Sequence, residues 1–244
     1  PMAIMVMPLD TDIIMDTPGT TEPALAMMRL MQLVSPSLPI GSFTYSQGIE
    51  WAVECGWVDS ADTLGDWIED QLMTAILHLD LPVLQRLYAA ARKGDAAMLE
   101  TWSQFLLASR ETAELRQEEI NRGRALADLI EALGVPNAAA WKPLLASCQA
   151  AGFATAAAGW QIPYRDAAGG YAWSWLENLV LAAVKIIPLG QTEGQQLLMR
   201  LAERLPEAVE RSLVIEDGMI GASNPALAIA SSRHETQYTR LFRS

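Results

Sequence analysis

A chain of 244 residues, half of them apolar, is long enough to bury a sizeable core and too hydrophobic to be disordered over most of its length. Its formal charge of −12, from 17 Lys and Arg against 29 Asp and Glu, argues against a nucleic-acid surface, which needs clustered cations to neutralise phosphate. Cys55 and Cys148 are too few for a disulfide framework and point to a reduced, cytoplasmic protein.

The first 23 residues carry prolines, acids and the run Thr-Pro-Gly-Thr-Thr-Glu-Pro, which reads as a flexible leader; no positive charge precedes Arg29, so no secretory signal is read there. From Ala24 the apolar spacing turns helical and runs to Val34, where Pro36 ends it. An irregular stretch follows from Ser35, punctuated by Pro36, Pro39 and Gly41, and leads into a short helix over Gln47–Cys55 closed by Gly56. Asp59 or Ser60 caps the next helix, in which Leu64, Ile68, Leu72, Ile76 and Leu79 share a face until Pro82 breaks or kinks it. Further helices are expected over Val83–Arg92, Asp95–Leu107 and Thr112–Leu133. An Ala-rich helix over Trp141–Gly159, a turn over Pro163–Gly170, and helices over Trp173–Ile187, Gln191–Leu205 and Pro225–His234 complete the chain.

The uncharged run Pro143–Tyr164 has the length of a membrane span, but its Ala, Gly, Ser, Gln and Thr content makes it a buried, closely packed helix instead. No strand pattern and no repeat of 20–50 residues stands out. The expectation is an all-α, single-domain bundle of roughly ten helices over 24–232, with a separate tail at 233–244.

Enzyme motifs are missing. There is no Gly-Lys pair for a P-loop, no Gly-x-Ser-x-Gly elbow, no dinucleotide fingerprint and no His-Glu-x-x-His. Ser42 and Ser46 lie in the glycine-containing loop, but a serine nucleophile needs a base, and only His78 and His234 offer an imidazole. The four Cys and His residues, at 55, 78, 148 and 234, form no metal-ligand spacing, so no tightly bound metal or cofactor is expected. The charges from Arg110 to Arg124 read as a solvated helix face with pairs such as Glu118 to Arg122. Arg110-Glu111 is the exception, because it adjoins the hydrophobic helix carrying Trp102 and Phe105.

The tail has a different chemistry from the acidic body. Arg233, Arg240 and Arg243 face one acid, Glu235, and Tyr238, Leu241 and Phe242 interleave with them, residue types enriched at interface hot spots. It reads as a docking peptide in preference to a frayed terminus.

Four stretches carry a family likeness: Ser35–Trp51 (Ser-Pro-Ser-Leu-Pro-Ile-Gly-Ser-Phe-Thr-Tyr-Ser-Gln-Gly-Ile-Glu-Trp), Ser109–Arg116, the Val-Lys-Ile-Ile-Pro-Leu-Gly-Gln run at Val184, and Arg233–Ser244. In this order they resemble the urease accessory protein UreF family. The resemblance implies a non-catalytic, homodimeric assembly factor. Such a factor binds UreD (also called UreH) through its C-terminal segment, recruits the GTPase UreG, and presents it to apo-urease. Nickel would transit the complex, through an internal tunnel, with delivery tied to GTP hydrolysis. Glu50, Lys185, Tyr238, Arg240 and Arg243 fall on positions resembling partner-contacting ones, and Arg233 and Phe242 join them from the tail. Phe43 departs from the tyrosine common at its place, which removes a hydroxyl. Two other classes fit the residues: an all-α enzyme using Asp80, Glu111 or His78 as acid and base, and a helical adaptor for an unrelated GTPase.

Overall fold

The computed structural model describes residues 21–244. Within that span the protein is all-α, without strands: α1 (Thr21–Leu33), α2 (Ile49–Glu54), α3 (Ala61–Gln71), a π-helical segment (Leu72–Asp80), α4 (Leu81–Lys93), α5 (Ala96–Ala108), α6 (Ala113–Ala132), α7 (Ala138–Leu145), α8 (Gln149–Gly159), α9 (Tyr164–Ala183), α10 (Gln191–Ala202), α11 (Leu205–Ser212) and α12 (Pro225–His234). Residues 1–20 of the expected leader lie outside the described residues, whereas Thr21–Pro23 form the first turn of α1, a position where proline costs no hydrogen bond. No helix among the described residues is long and apolar enough to cross a membrane.

The helix ends follow local chemistry. Ser60 and Thr63 close a capping box at α3, while Asp95, Thr112 and Asn224 accept backbone N–H groups at the starts of α5, α6 and α12. Gly94, at φ 71°, ends α4 in the left-handed conformation.

Helix α8 is the axis of the bundle. Every residue from Gln149 to Ala157 is buried, and α4, α5, α6, α7 and α9 all pack around it. Its Ala and Gly side chains allow that approach. A Cβ on Gly152 would sit 3.0 Å from Leu126 of α6, and one on Gly123 of α6 would sit 3.0 Å from the Cys148 backbone.

The structure departs from the local reading at four places. Pro82 does not break the chain of helices, because the π segment runs straight into α4. The wider π register, seen where the Leu81 N–H reaches the Ile76 carbonyl, gives the proline ring room. The His78 carbonyl, four residues before Pro82 and unable to bond to it, accepts the Gly221 N–H at 2.9 Å instead. Trp141–Gly159 is two helices and not one: Cys148 is extended, at φ −150°, and the buried Glu119 carboxylate accepts the Ala150 N–H at 3.1 Å to start α8 afresh. Pro163–Gly170 is no turn. Helix α9 begins at Tyr164 and takes Gly170 into its body, where a Cβ would stand 2.7 Å from Leu30 of α1. The helix expected over Gln191–Leu205 stops at Ala202, and Pro206 opens the separate α11.

Candidate functional site

The Gly-rich loop before α2 supplies the floor of the site. Gly41 (φ 74°), Gln47 (φ 49°) and Gly48 (φ 81°) turn the backbone through left-handed conformations. Gly48 is held to glycine twice over, since an added Cβ would also meet Ala230 of α12 at 3.0 Å. This turn lodges Ser46 and Glu50 in the interior, 0% and 7% exposed, beneath the C-terminal segment.

That segment folds back onto the body. Glu50 receives it: Oε1 accepts the Leu241 N–H at 2.6 Å and Oε2 accepts the Phe242 N–H at 2.9 Å, with His234 Nε2 3.2 Å from the same oxygen. The His234 ring is fully buried, and its Nδ1 lies 2.7 Å from Glu114, so the ring bridges the two carboxylates. Arg240 adds a 2.8 Å pair to Glu114, and Gln237 donates to Glu54. Glu235 accepts the Ala113 and Glu114 N–H groups at the start of α6, where the helix dipole favours a carboxylate. At the tip, the Ser244 carbonyl accepts from Ser46 N and Oγ, the Ser244 hydroxyl donates to Glu118, and the Arg243 N–H donates to the Thr44 carbonyl. Phe242 is buried with Lys185 Nζ 5.6 Å above its ring, while Tyr238 and Leu241 stand out at 103% and 63% exposure.

Beneath the tail lies a buried ionic network. Arg110 forks onto Asp80, Nη1 to Oδ2 at 3.0 Å and Nη2 to Oδ1 at 2.6 Å, and also pairs with Glu119 at 3.0 Å. Arg122 pairs with Glu118 at 2.8 Å, and Glu118 also accepts from Gln47, whose amide oxygen takes the Trp175 indole N–H. These groups line a cavity of about 40 Å³, space for ordered water, on which the otherwise unpartnered Arg122 Nε can draw. Burial alone would raise the Glu119 pKa; the Arg110 charge, the Ala150 N–H and Arg122 outweigh it and hold the carboxyl below its ordinary range. Burial and the Glu119 charge push the Cys148 thiol well up, so it is a protonated donor to that carboxylate and no nucleophile.

A lowered carboxyl pKa has a testable consequence. Glu119 contributes stability that is full above the ordinary unfolded glutamate value of about 4.3 and is lost as pH falls from there through its depressed folded-state pKa. The stability advantage of the parent over Glu119→Gln, read from urea unfolding, should be full at pH 7 and shrink as pH falls below about 4.3.

The expected site residues divide in two. Tyr238, Arg240, Phe242 and Arg243 gather with Glu50 and Lys185 in one place, but Glu50 and Phe242 face inward while Lys185, Arg233, Tyr238, Arg240 and Arg243 are exposed. The charges of α6 are no uniformly solvated face. Glu118 and Glu119 are 3% and 6% exposed, because the tail and the network cover them. Asp80, Glu111 and His78 do not converge: Asp80 is consumed by Arg110, Glu111 is exposed, His78 is half-buried, and no hydrogen bond joins them among the described residues. No cluster of three or more His, Cys, Asp and Glu side chains there is arranged to hold a metal ion. Glu114 and His234 were missed as anchors. The available signal was the Glu114 and Glu118 pair, like charges four apart that weaken a helix unless something pairs with them.

The UreF family profile matches residues 58–202. The chain is 52% identical over 227 residues to the urease accessory protein UreF of Alcanivorax borkumensis, an alignment covering 90% of this chain and 98% of that protein. It is 52% identical over 220 residues to the UreF of Pseudomonas putida (90% and 98% covered) and 49% identical over 224 residues to that of Alkalilimnicola ehrlichii (92% and 98% covered). The profile match over more than half of the chain and these identities over nine-tenths of it lead to one conclusion: the chain belongs to the UreF family of urease accessory proteins.

Proposed function

We propose that the protein is a non-catalytic scaffold of urease maturation in the cytoplasm. It binds UreD (UreH) through its C-terminal segment and recruits the GTPase UreG to apo-urease, where nickel, the cargo, is inserted at the expense of GTP hydrolysis. The observation that carries this reading is the display of the tail: its backbone is anchored on Glu50, Ser46 and Thr44 while Tyr238 and Leu241 project outward, an aromatic and an aliphatic anchor on a segment that also exposes Arg233, Arg240 and Arg243. The Arg110 fork speaks against the acid–base enzyme, since it occupies both carboxylate oxygens of Asp80. A homodimer suits the exposed face of α1, where Leu25, Met27, Met28 and Met31 are each about half exposed and would bury apolar surface against a second copy.

Co-purification of the tagged protein with UreD and UreG tests the reading, and recovery of neither partner would remove it. Lys185 supplies a finer probe. Its ammonium is exposed at the edge of the tail, over the Phe242 ring. Lys185→Ala should weaken recovery of UreG while moving the thermal midpoint by no more than a degree or two, because an exposed cation–π contact is worth only about 0.5–1 kcal/mol. An unfolded variant would make the lysine a structural element of the bundle.

A further inference from the structure

Glu50 occupies a position resembling a partner contact, yet its surroundings leave it nothing to offer a partner. It is 7% exposed, and both carboxylate oxygens are engaged by the protein's own tail. Two consecutive backbone N–H groups aimed at one carboxylate form an anion nest, and here they fix the orientation of the peptide plane between Leu241 and Phe242. That orientation decides which side chain faces which way. The chain bends at Leu241 and Phe242, and with both amides turned onto Glu50 the Phe242 side chain is buried while Leu241 is exposed; a shift of one residue would offer Leu241 to the pocket that buries Phe242. The His234 ring closes the arrangement from behind by joining Glu50 to Glu114, and Glu114 in turn holds Arg240.

We infer that Glu50 is a positioning residue for partner binding: it sets the register of the tail through the Leu241 and Phe242 amides, with His234 and Glu114 as its brace, and acts on UreD without touching it. This rests on the docking reading above. The groups facing the clasp are Glu50 from α2, Glu114 from α6, His234 at the end of α12 and Arg240 from the tail. Of these, only the Arg240 guanidinium comes from the tail beyond α12, and it reaches Glu114 only when the tail is seated.

A double-mutant cycle separates action through the tail from direct contact. Four chains are compared for UreD affinity: the parent, Glu50→Gln, a chain ending at Glu235, and that shortened chain carrying Glu50→Gln. Glutamine keeps the volume but loses one of the two oxygens that accept the tail amides. The expected result is at least a tenfold loss of affinity from Glu50→Gln in the full chain and no further loss in the shortened one. In the UreD complex, the Leu241 and Phe242 amides should also exchange with deuterium at least tenfold faster in the variant. Glu50→Asp, which keeps both oxygens, should restore part of the affinity, and it provides the reading if the glutamine variant does not fold. An equal loss in both backgrounds would mean that Glu50 touches UreD directly, and an unchanged affinity in the full chain would remove the inference alone. A shortened chain that binds UreD as the parent does would remove the docking reading and this inference with it.

Discussion

A chain ending at Glu235 should lose UreD, with affinity falling at least a thousandfold, while staying folded and helical. The cut belongs after Glu235 and not before Arg233. His234 is fully buried between Glu50 and Glu114, and Glu235 accepts the first amides of α6, so removing either would strand buried carboxylates or open a helix end. What the shorter cut removes from the body is the Phe242 side chain, its seat beside Lys185, the caps on Ser46 and Thr44, and the tail donors to Glu50, Glu114 and Glu118, which keep His234 or, for Glu118, Gln47 and Arg122. Burying a phenylalanine is worth about 1.5–3 kcal/mol, so the thermal midpoint should drop by several degrees without collapse. The partner loses far more: Tyr238, Leu241, Arg240 and Arg243 leave together, and a hot-spot cluster contributes several kcal/mol, enough to turn a nanomolar complex micromolar or weaker. Gel filtration with UreD decides it. Co-elution as for the parent would show that the tail serves the fold alone.

Arg110→Ala should cost about 3–5 kcal/mol of stability, a large part of the about 5–15 kcal/mol that holds a domain together. The guanidinium, 16% exposed, is the counter-ion of both Asp80 and Glu119. Its removal leaves two buried carboxylates facing each other across the cavity, and one of them, Glu119, starts α8 through the Ala150 N–H. Burial by itself would lower the Arg110 pKa; the charges of Asp80 and Glu119 outweigh it and raise it well above the ordinary value, so the guanidinium stays charged at any pH at which the fold survives. Arg110→Lys keeps the charge but loses the fork, and should recover only part of the stability. Urea midpoints of the three proteins measure this. Equal midpoints for parent and alanine variant would mean that water in the cavity compensates the carboxylates.

Much of the fold is written in local patterns. The i, i+4 apolar face of α3, the Ser60, Asp95 and Thr112 caps and the glycine stops after α2, α4 and α6 are set by neighbouring residues, and they stand where periodicity and capping chemistry put them. The family, too, was legible, because its loop and tail motifs are contiguous in sequence. Burial of charge was not. Nothing within a few residues of Glu118 and Glu119 distinguishes them from a solvated face; their partners Gln47, Ser244, Arg110 and Ala150 come from four other places in the chain. The same holds for the split between α7 and α8, made by a carboxylate of α6, and for Gly170, whose place inside α9 goes with the close approach of Leu30. Most decisively, composition marks the tail as basic and aromatic but assigns no inside and outside to it. Phe242 faces in and Leu241 faces out because two backbone amides meet Glu50, a residue nearly two hundred positions away, and only the folded chain brings them together.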